Sequence, residues 1–181
     1  MDKLNEKQLK TLNQDLIEFY HQEASKRLED NVRVESLITE RGYILFGMYF
    51  AIETATIGYI LTHLSTQNDL PVTYGGLAII VFTTIAIAYI IQVIKPHAFY
   101  VPGREPNDLQ ISQYANYFAQ DTSINQKKFV LIDELVVLQV KISSQQELND
   151  KRTELTKKSI YFLIFGSFIA VFSFILTFIS I

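Results

Sequence analysis

The stretch "YGGLAIIVFTTIAIAYIIQVI", residues 74–94, contains no Asp, Glu, Lys or Arg. A helix of about 20 apolar residues is long enough to cross the roughly 30 Å hydrocarbon core of a bilayer. A second apolar run, residues 43–63, carries Glu53 as its single Asp, Glu, Lys or Arg residue, and a third run, residues 159–181, carries none of these. Three such runs in 181 residues would leave too little polar surface for a soluble fold. The sequence therefore predicts an all-α integral membrane protein with three transmembrane helices.

The distribution of basic residues predicts the orientation of these helices. All 16 Lys and Arg residues either precede the first run or lie between the second and the third. The connection 64–73 contains none of them, and none follows residue 158. Because basic residues concentrate on the cytoplasmic side of a membrane, we expect the N-terminus and residues 95–158 to be cytoplasmic. We expect a multi-pass protein of the cytoplasmic (inner) membrane. Because the first 42 residues are charged throughout, we expect no cleavable signal peptide.

Four segments follow from this reading: a cytoplasmic amphipathic helix over 1–42, a transmembrane hairpin over 43–94, a cytoplasmic turn plus helices over 95–158, and a transmembrane helix over 159–181. Apolar residues recur every three or four positions in the first segment, which predicts a helix that continues into the first span. The Pro-rich stretch 95–110 predicts a turn. We expect a short helix from Pro106 to about Gln120 and another helix capped by Ser123.

An apolar stripe marks the helix that leads to the third run. It contains Ile124, Leu131, Leu135, Leu138 and Ile142, and its register continues through Gln145, Asn149 and Arg152. The change to polar residues predicts packing near the start of this helix and solvation nearer the membrane. Two interpretations remain open: packing against other cytoplasmic helices of the same chain, and a homo-oligomeric coiled coil.

Small residues form stripes on two of the spans, which permits close approach of helices in lipid. The pattern does not specify whether the neighbouring helix belongs to the same chain. It favours homo-oligomer formation, and it predicts helix-packing positions at Gly47, Ala51 and Ala55 on the first span and at Gly166, Ala170, Ser173 and Thr177 on the third.

Glu53 is the strongest candidate for a functional residue. Tyr49, Glu53 and Thr56 share a helix face opposite the small-residue stripe, and Thr83 and Thr84 lie at a similar depth on the second span. An ionised carboxylate at mid-membrane is costly. Three interpretations remain: a protonated Glu53 bonded to Thr83 or Thr84, a group lining a water-filled path in an oligomer, and a proton-coupled transport residue.

Other chemistry has little support in the sequence. The absence of Cys excludes disulfides, thiolate metal sites and cysteine nucleophiles. The three His residues lie in separate regions, and no phosphate-binding loop or nucleophile elbow is present. We expect no enzymatic activity, no cofactor and no metal. The net charge of −3 mixes both signs, so no direct nucleic-acid binding is expected.

The layout of charged cytoplasmic helices around a hairpin of spans, without an enzyme motif, resembles small bacterial anti-phage membrane effectors. These include SLATT-type proteins and membrane accessories of CRISPR or cyclic-nucleotide defence loci. The third span departs from their two-span pattern. The resemblance implies an oligomer that forms a pore or perturbs the inner membrane in antiviral defence. The alternative is a non-conducting scaffold whose cytoplasmic helices recruit a soluble sensor or effector protein.

Overall fold

The computed structural model describes residues 12–63, 70–96, 114–115 and 125–179. Within these ranges the chain forms three long helices: α1 spans Gln14–His63, α2 spans Leu70–Ile94 and α3 spans Gln126–Ile179. Each is long and apolar enough to cross a membrane. The prediction of an all-helical chain with three such helices is confirmed. The predicted continuity of the charged segments with the first and third apolar runs is also confirmed, because α1 and α3 contain no break.

Asparagine side chains begin the two longest helices. Leu16 N donates to Asn13 Oδ1 at 2.9 Å, and Lys128 N donates to Asn125 Oδ1 at 3.1 Å. Each amide oxygen thereby satisfies a backbone N–H that has no partner within the helix. Asn125 occupies the position directly before the first residue of α3, whereas Ser123, the predicted cap, lies outside the described residues.

Most of the predicted turn over 95–110 and of the predicted helix from Pro106 to Gln120 lies outside the described residues. Tyr114 and Ala115 are helical. The Tyr114 hydroxyl donates a hydrogen bond to the Asp133 carboxylate, and its ring packs edge-on against Phe129. These two contacts hold Tyr114 against α3.

The chain divides into two compact units. Unit 1 comprises Met1–Glu35 and Ala98–Asn149, and unit 2 comprises Ser36–His97 and Asp150–Ile181. Helices α1 and α3 contribute to both units, whereas α2 belongs to unit 2. Unit 2 is therefore longer than the predicted spans, because it also contains residues 36–42 and 150–158.

In unit 1, α1 and α3 run parallel and pack through aliphatic side chains. These contacts agree with the interpretation that the apolar stripe on α3 packs against a helix of the same chain. The apolar residues of α1 that face the stripe recur with the same helical period. Burial of these side chains is the main source of stability that unit 1 gains from its described residues. One cluster contains Ile17, Ile132 and Leu135, and a second contains Leu28, Leu138 and Ile142.

The polar residues that continue this stripe in unit 1 are buried. Gln145 is 0% exposed and Asn149 is 6% exposed, so the predicted solvation of this part of the helix is wrong. Gln145 Nε2 donates to Glu35 Oε2 at 2.9 Å, and Asn149 Nδ2 donates to the Asn31 carbonyl at 2.9 Å. Buried polar groups are tolerated when they are hydrogen-bonded, and α1 supplies the required partners.

In unit 2, α2 runs antiparallel to α1 and α3. The core is formed by Tyr49, Ala86 and Ile90, with Phe162 and Leu163 of α3 packed against them. Glycines allow the helices to approach closely at several levels. A Cβ placed on Gly76 would lie 2.8 Å from Ile60 Cδ1 of α1. The three helices thus pack through their interior faces and leave large apolar side chains on the outside.

The close approach of α2 and α3 gives a test of this packing. A Cβ on Gly166 would lie 2.6 Å from Phe82 Cβ, whereas a Cβ on Gly47 would meet nothing within 4 Å. We expect Gly166→Ala to lower the free energy of unfolding by about 1–2 kcal/mol, because overpacking outweighs the gain in helix propensity. Gly58→Ala, where an added Cβ also meets nothing within 4 Å, is the matched control and should leave stability unchanged or raised by about 0.5–1 kcal/mol. Unfolding of the detergent-solubilised protein measures both, and equal effects would contradict the packing.

Candidate functional site

Glu53 and Thr84 form a polar pair between α1 and α2 in unit 2. Thr84 Oγ1 lies 2.7 Å from Glu53 Oε1. Glu53 is half-buried and Thr84 is exposed. Each residue is the midpoint of its apolar run, 43–63 or 74–94. The antiparallel crossing of the two helices therefore places both groups at the same level, half-way along the two apolar runs.

The Thr84 hydroxyl lies within hydrogen-bond distance of two oxygens. Besides the Glu53 carboxyl group, its Oγ1 lies 2.8 Å from the carbonyl oxygen of Ile80, one turn earlier in α2. A hydroxyl carries one proton, and a carbonyl can only accept. The single proton of Thr84 is therefore shared between the Ile80 carbonyl and Glu53.

The surface around the pair is otherwise mainly apolar. Among the neighbouring exposed side chains, Phe50 and Ile57 lie one turn to either side of Glu53 on α1, and Val81 and Ala88 lie one turn to either side of Thr84 on α2. A carboxyl group and a hydroxyl are thus presented at the outer surface of the described part of the chain, half-way along the apolar runs of α1 and α2.

The other predicted polar residues do not join this pair. Tyr49 is 1% exposed, and its hydroxyl lies 3.3 Å from Ser159 Oγ in the core of unit 2. Thr56 donates to the backbone carbonyl of Ile52 at 2.8 Å. Thr83 is fully buried, and its Oγ1 has no hydrogen-bond partner among the described residues. Of the predicted set, the structure brings together Glu53 and Thr84.

The two small-residue stripes differ in their surroundings. On α3, Gly166 and Ala170 are buried and Ser173 is half-buried. Backbone atoms of Ala170 lie 3.5–3.6 Å from the position of a Cβ on Gly75, so this stripe faces α2. The side chain of Thr177 lies outside the described residues. On α1, the stripe of Gly47, Ala51 and Ala55 is exposed. That face of α1 is therefore available to contact another molecule or a segment outside the described residues.

Arg152 is a buried residue whose role the sequence did not predict. It is 3% exposed; its Nε donates to the Val93 carbonyl at 2.9 Å, and its Nη2 donates to Thr39 Oγ1 at 2.6 Å. The last turn of α2 has no basic residue of its own. Arg152 therefore supplies positive charge and a hydrogen-bond donor at the C-terminal end of α2, where the helix dipole is negative. The prediction of solvation for this part of the stripe on α3 is therefore wrong at Arg152 as well.

No group of three or more His, Cys, Asp or Glu residues in the part of the chain that the structure describes could hold a metal ion. The polar groups that unit 2 offers are the pair of Glu53 and Thr84, the buried hydroxyls of Tyr49 and Ser159, and the guanidinium of Arg152.

Comparison with protein-family models, with curated proteins and with solved structures finds no match to this chain.

Proposed function

We propose that this protein is a homo-oligomer of the bacterial inner membrane in which Glu53 and Thr84 line a water-accessible path for ions. The observation that carries the proposal is the Glu53–Thr84 pair, which lies on the outer surface of unit 2 half-way along two apolar runs. When these runs span a bilayer the pair lies at mid-membrane depth, where an ionised carboxylate in contact with lipid tails is strongly disfavoured. A protein partner or water therefore covers it.

A second copy of the chain is the simplest partner to shield the Glu53–Thr84 pair from lipid. The interior of unit 2 is filled by the Tyr49, Ala86 and Ile90 core, so a path through one chain is not supported. An arrangement around an axis would bring several Glu53–Thr84 pairs together, and a ring of carboxyl groups favours cations. The exposed stripe of Gly47, Ala51 and Ala55 would allow close contact between neighbouring copies.

The orientation and the biological setting are part of the same proposal. The N-terminus lies in the cytoplasm, as the positions of the basic residues favour. The protein acts as a pore-forming or membrane-perturbing effector or regulator in anti-phage defence, without enzymatic activity of its own. The layout of charged helices and spans supports this setting.

A non-conducting scaffold is the second candidate function. Unit 1 presents large apolar side chains at its surface, including Phe19, which is 55% exposed, and Val140, which is 60% exposed. Exposed apolar surface is typical of contacts with another protein. Under this alternative, unit 1 binds one soluble sensor or effector. Substitution of Phe19 and Val140 by Ser would then abolish capture of that protein, while Glu53→Ala would have no effect on it.

Purified protein in planar bilayers tests conduction. We expect cation-selective current from the wild type and a several-fold smaller current from Glu53→Ala at equal reconstitution, because the polar ring is lost. Glu53→Gln should retain the contact with Thr84 but reduce the selectivity for cations, because a neutral amide replaces the carboxyl group. Thr54→Ala, a change at an exposed neighbour, is the control and should conduct like the wild type. Absence of current across a range of voltages and pH values would contradict the proposal.

A further inference from the structure

An open apolar groove of about 410 Å³ runs along α3 in unit 2. Stacking fixes its floor, since the Phe162 ring lies 5.5 Å from that of Tyr89 and 6.4 Å from that of Phe82. A second contact, with centroids 5.3 Å apart, joins Phe82 to Phe165. The groove is therefore preformed by packed rings. Its lining consists of Tyr161, Phe162, Ile164, Phe165 and Phe168.

Two exposed basic residues precede the groove on the same helix. Lys157 and Lys158 lie within about a third of the helix circumference around Tyr161, at 3.6 residues per turn. From Lys157 to Phe168 the helix rises roughly 16 Å, which matches the depth of one bilayer leaflet. The groove thus extends from a basic boundary to the middle of the membrane.

The charge at this boundary is net positive. Lys158 Nζ lies 2.7 Å from Glu154 Oε1. This carboxylate raises the pKa of the Lys158 amine above its ordinary value, so the residue stays cationic at physiological pH. Lys157 is also close enough to lower the pKa of Glu154. Two cations and one anion leave one excess positive charge beside an apolar groove one leaflet deep.

We infer that this groove binds an anionic phospholipid, with an acyl chain along Phe165 and Phe168 and the phosphate group near Lys157 and Lys158. The phenol of Tyr161 lies at the boundary between the two, where aromatic residues with one polar end are favoured. The combination of basic charge and an apolar channel fits an anionic lipid, whose phosphate matches the lysines and whose acyl chain matches the groove. The inference rests on the membrane insertion contained in the proposed function, but not on conduction.

Tryptophan fluorescence tests the inference, because the chain has no native Trp. Phe168→Trp places a single reporter in the groove of the full-length protein. The protein is reconstituted into phosphatidylcholine vesicles that contain either brominated phosphatidylglycerol or brominated phosphatidylcholine. Bromine quenches only a Trp that it contacts. We expect the relative binding constant for phosphatidylglycerol to be about fivefold or more above that for phosphatidylcholine, and Lys157→Gln with Lys158→Gln to abolish this preference.

Two controls make the outcome specific. Leu61→Trp, a position on α1 that is as exposed as Phe168 and lies more than two turns from Glu53, should be quenched equally by both lipids. Arg41→Gln with Lys95→Gln removes the same charge from positions outside α3 and should leave the preference at position 168 unchanged. Equal quenching by both lipids at position 168, a preference insensitive to Lys157 and Lys158, or protection from both lipids would each overturn the inference. Quenching at position 61 reports insertion alone, so loss of lipid preference is distinguishable from failure to insert and from absence of current.

Discussion

Arg152→Ala is expected to lower the free energy of unfolding of unit 2 by about 3 kcal/mol. The substitution removes the hydrogen bond from Arg152 Nε to the Val93 carbonyl at the end of α2 and the hydrogen bond from its Nη2 to Thr39 Oγ1. It also removes the positive charge that faces the negative end of the helix dipole. The melting temperature of the detergent-solubilised protein should fall by roughly 5–10 °C.

Neighbouring variants separate this role from a general effect of charge. Lys151→Ala removes the same charge from an exposed residue and should change stability by less than about 0.5 kcal/mol. Arg152→Lys keeps the charge but lacks the planar fork of donors, so it should recover less than half of the loss. If Arg152→Ala melts at the wild-type temperature, the assignment of Arg152 as the C-terminal partner of α2 is wrong.

Leu28→Ala is expected to destabilise unit 1 by about 2–4 kcal/mol. Leu28 is 0% exposed and contacts Leu138 and Ile142, so the shorter side chain leaves a cavity between α1 and α3. Hydrogen exchange of the backbone amides of 126–149 measures this directly, because it reports opening of unit 1 separately from unit 2. Their exchange should accelerate by more than about 30-fold, following the loss in free energy.

Leu16→Ala provides a control with the same chemical change in the same unit. Leu16 is 36% exposed on α1, so its truncation creates no closed cavity and should affect exchange little. Comparable acceleration by both variants would show that the parallel packing of α1 and α3 is not what protects these amides.

The three long apolar helices could be predicted because membrane-spanning segments are set by length and charge along the chain. The contact of Glu53 with one of the two threonines could also be anticipated, since two antiparallel helices joined by a short connection match residues at equal distances from it. That the partner is Thr84 depends on the crossing of the helices. Thr83 points into the core instead.

The burial of polar residues on α3 was not predictable from its own sequence. A polar residue in the register of an apolar stripe is solvated or buried according to whether another helix supplies a partner. Asn149 finds the Asn31 carbonyl, and Arg152 finds Val93 and Thr39, all of them distant in sequence. The two small-residue stripes are likewise similar in sequence, because the neighbouring helix decides which of them is buried. Gly166 faces Phe82, whereas Gly47 faces no described neighbour.

Water access to position 53 is the central claim, and the Cys-free sequence allows a direct measurement. Single Cys residues are introduced by Glu53→Cys and Thr84→Cys, with Phe168→Cys as the control in the apolar groove and Lys26→Cys as the exposed control in unit 1. A charged, water-soluble methanethiosulfonate reagent is applied to membranes opened to both sides. A thiol reacts with it only as the hydrated thiolate. The account predicts modification at positions 53 and 84 many times faster than at 168. Modification at 26 with none at 53, 84 or 168 would contradict it.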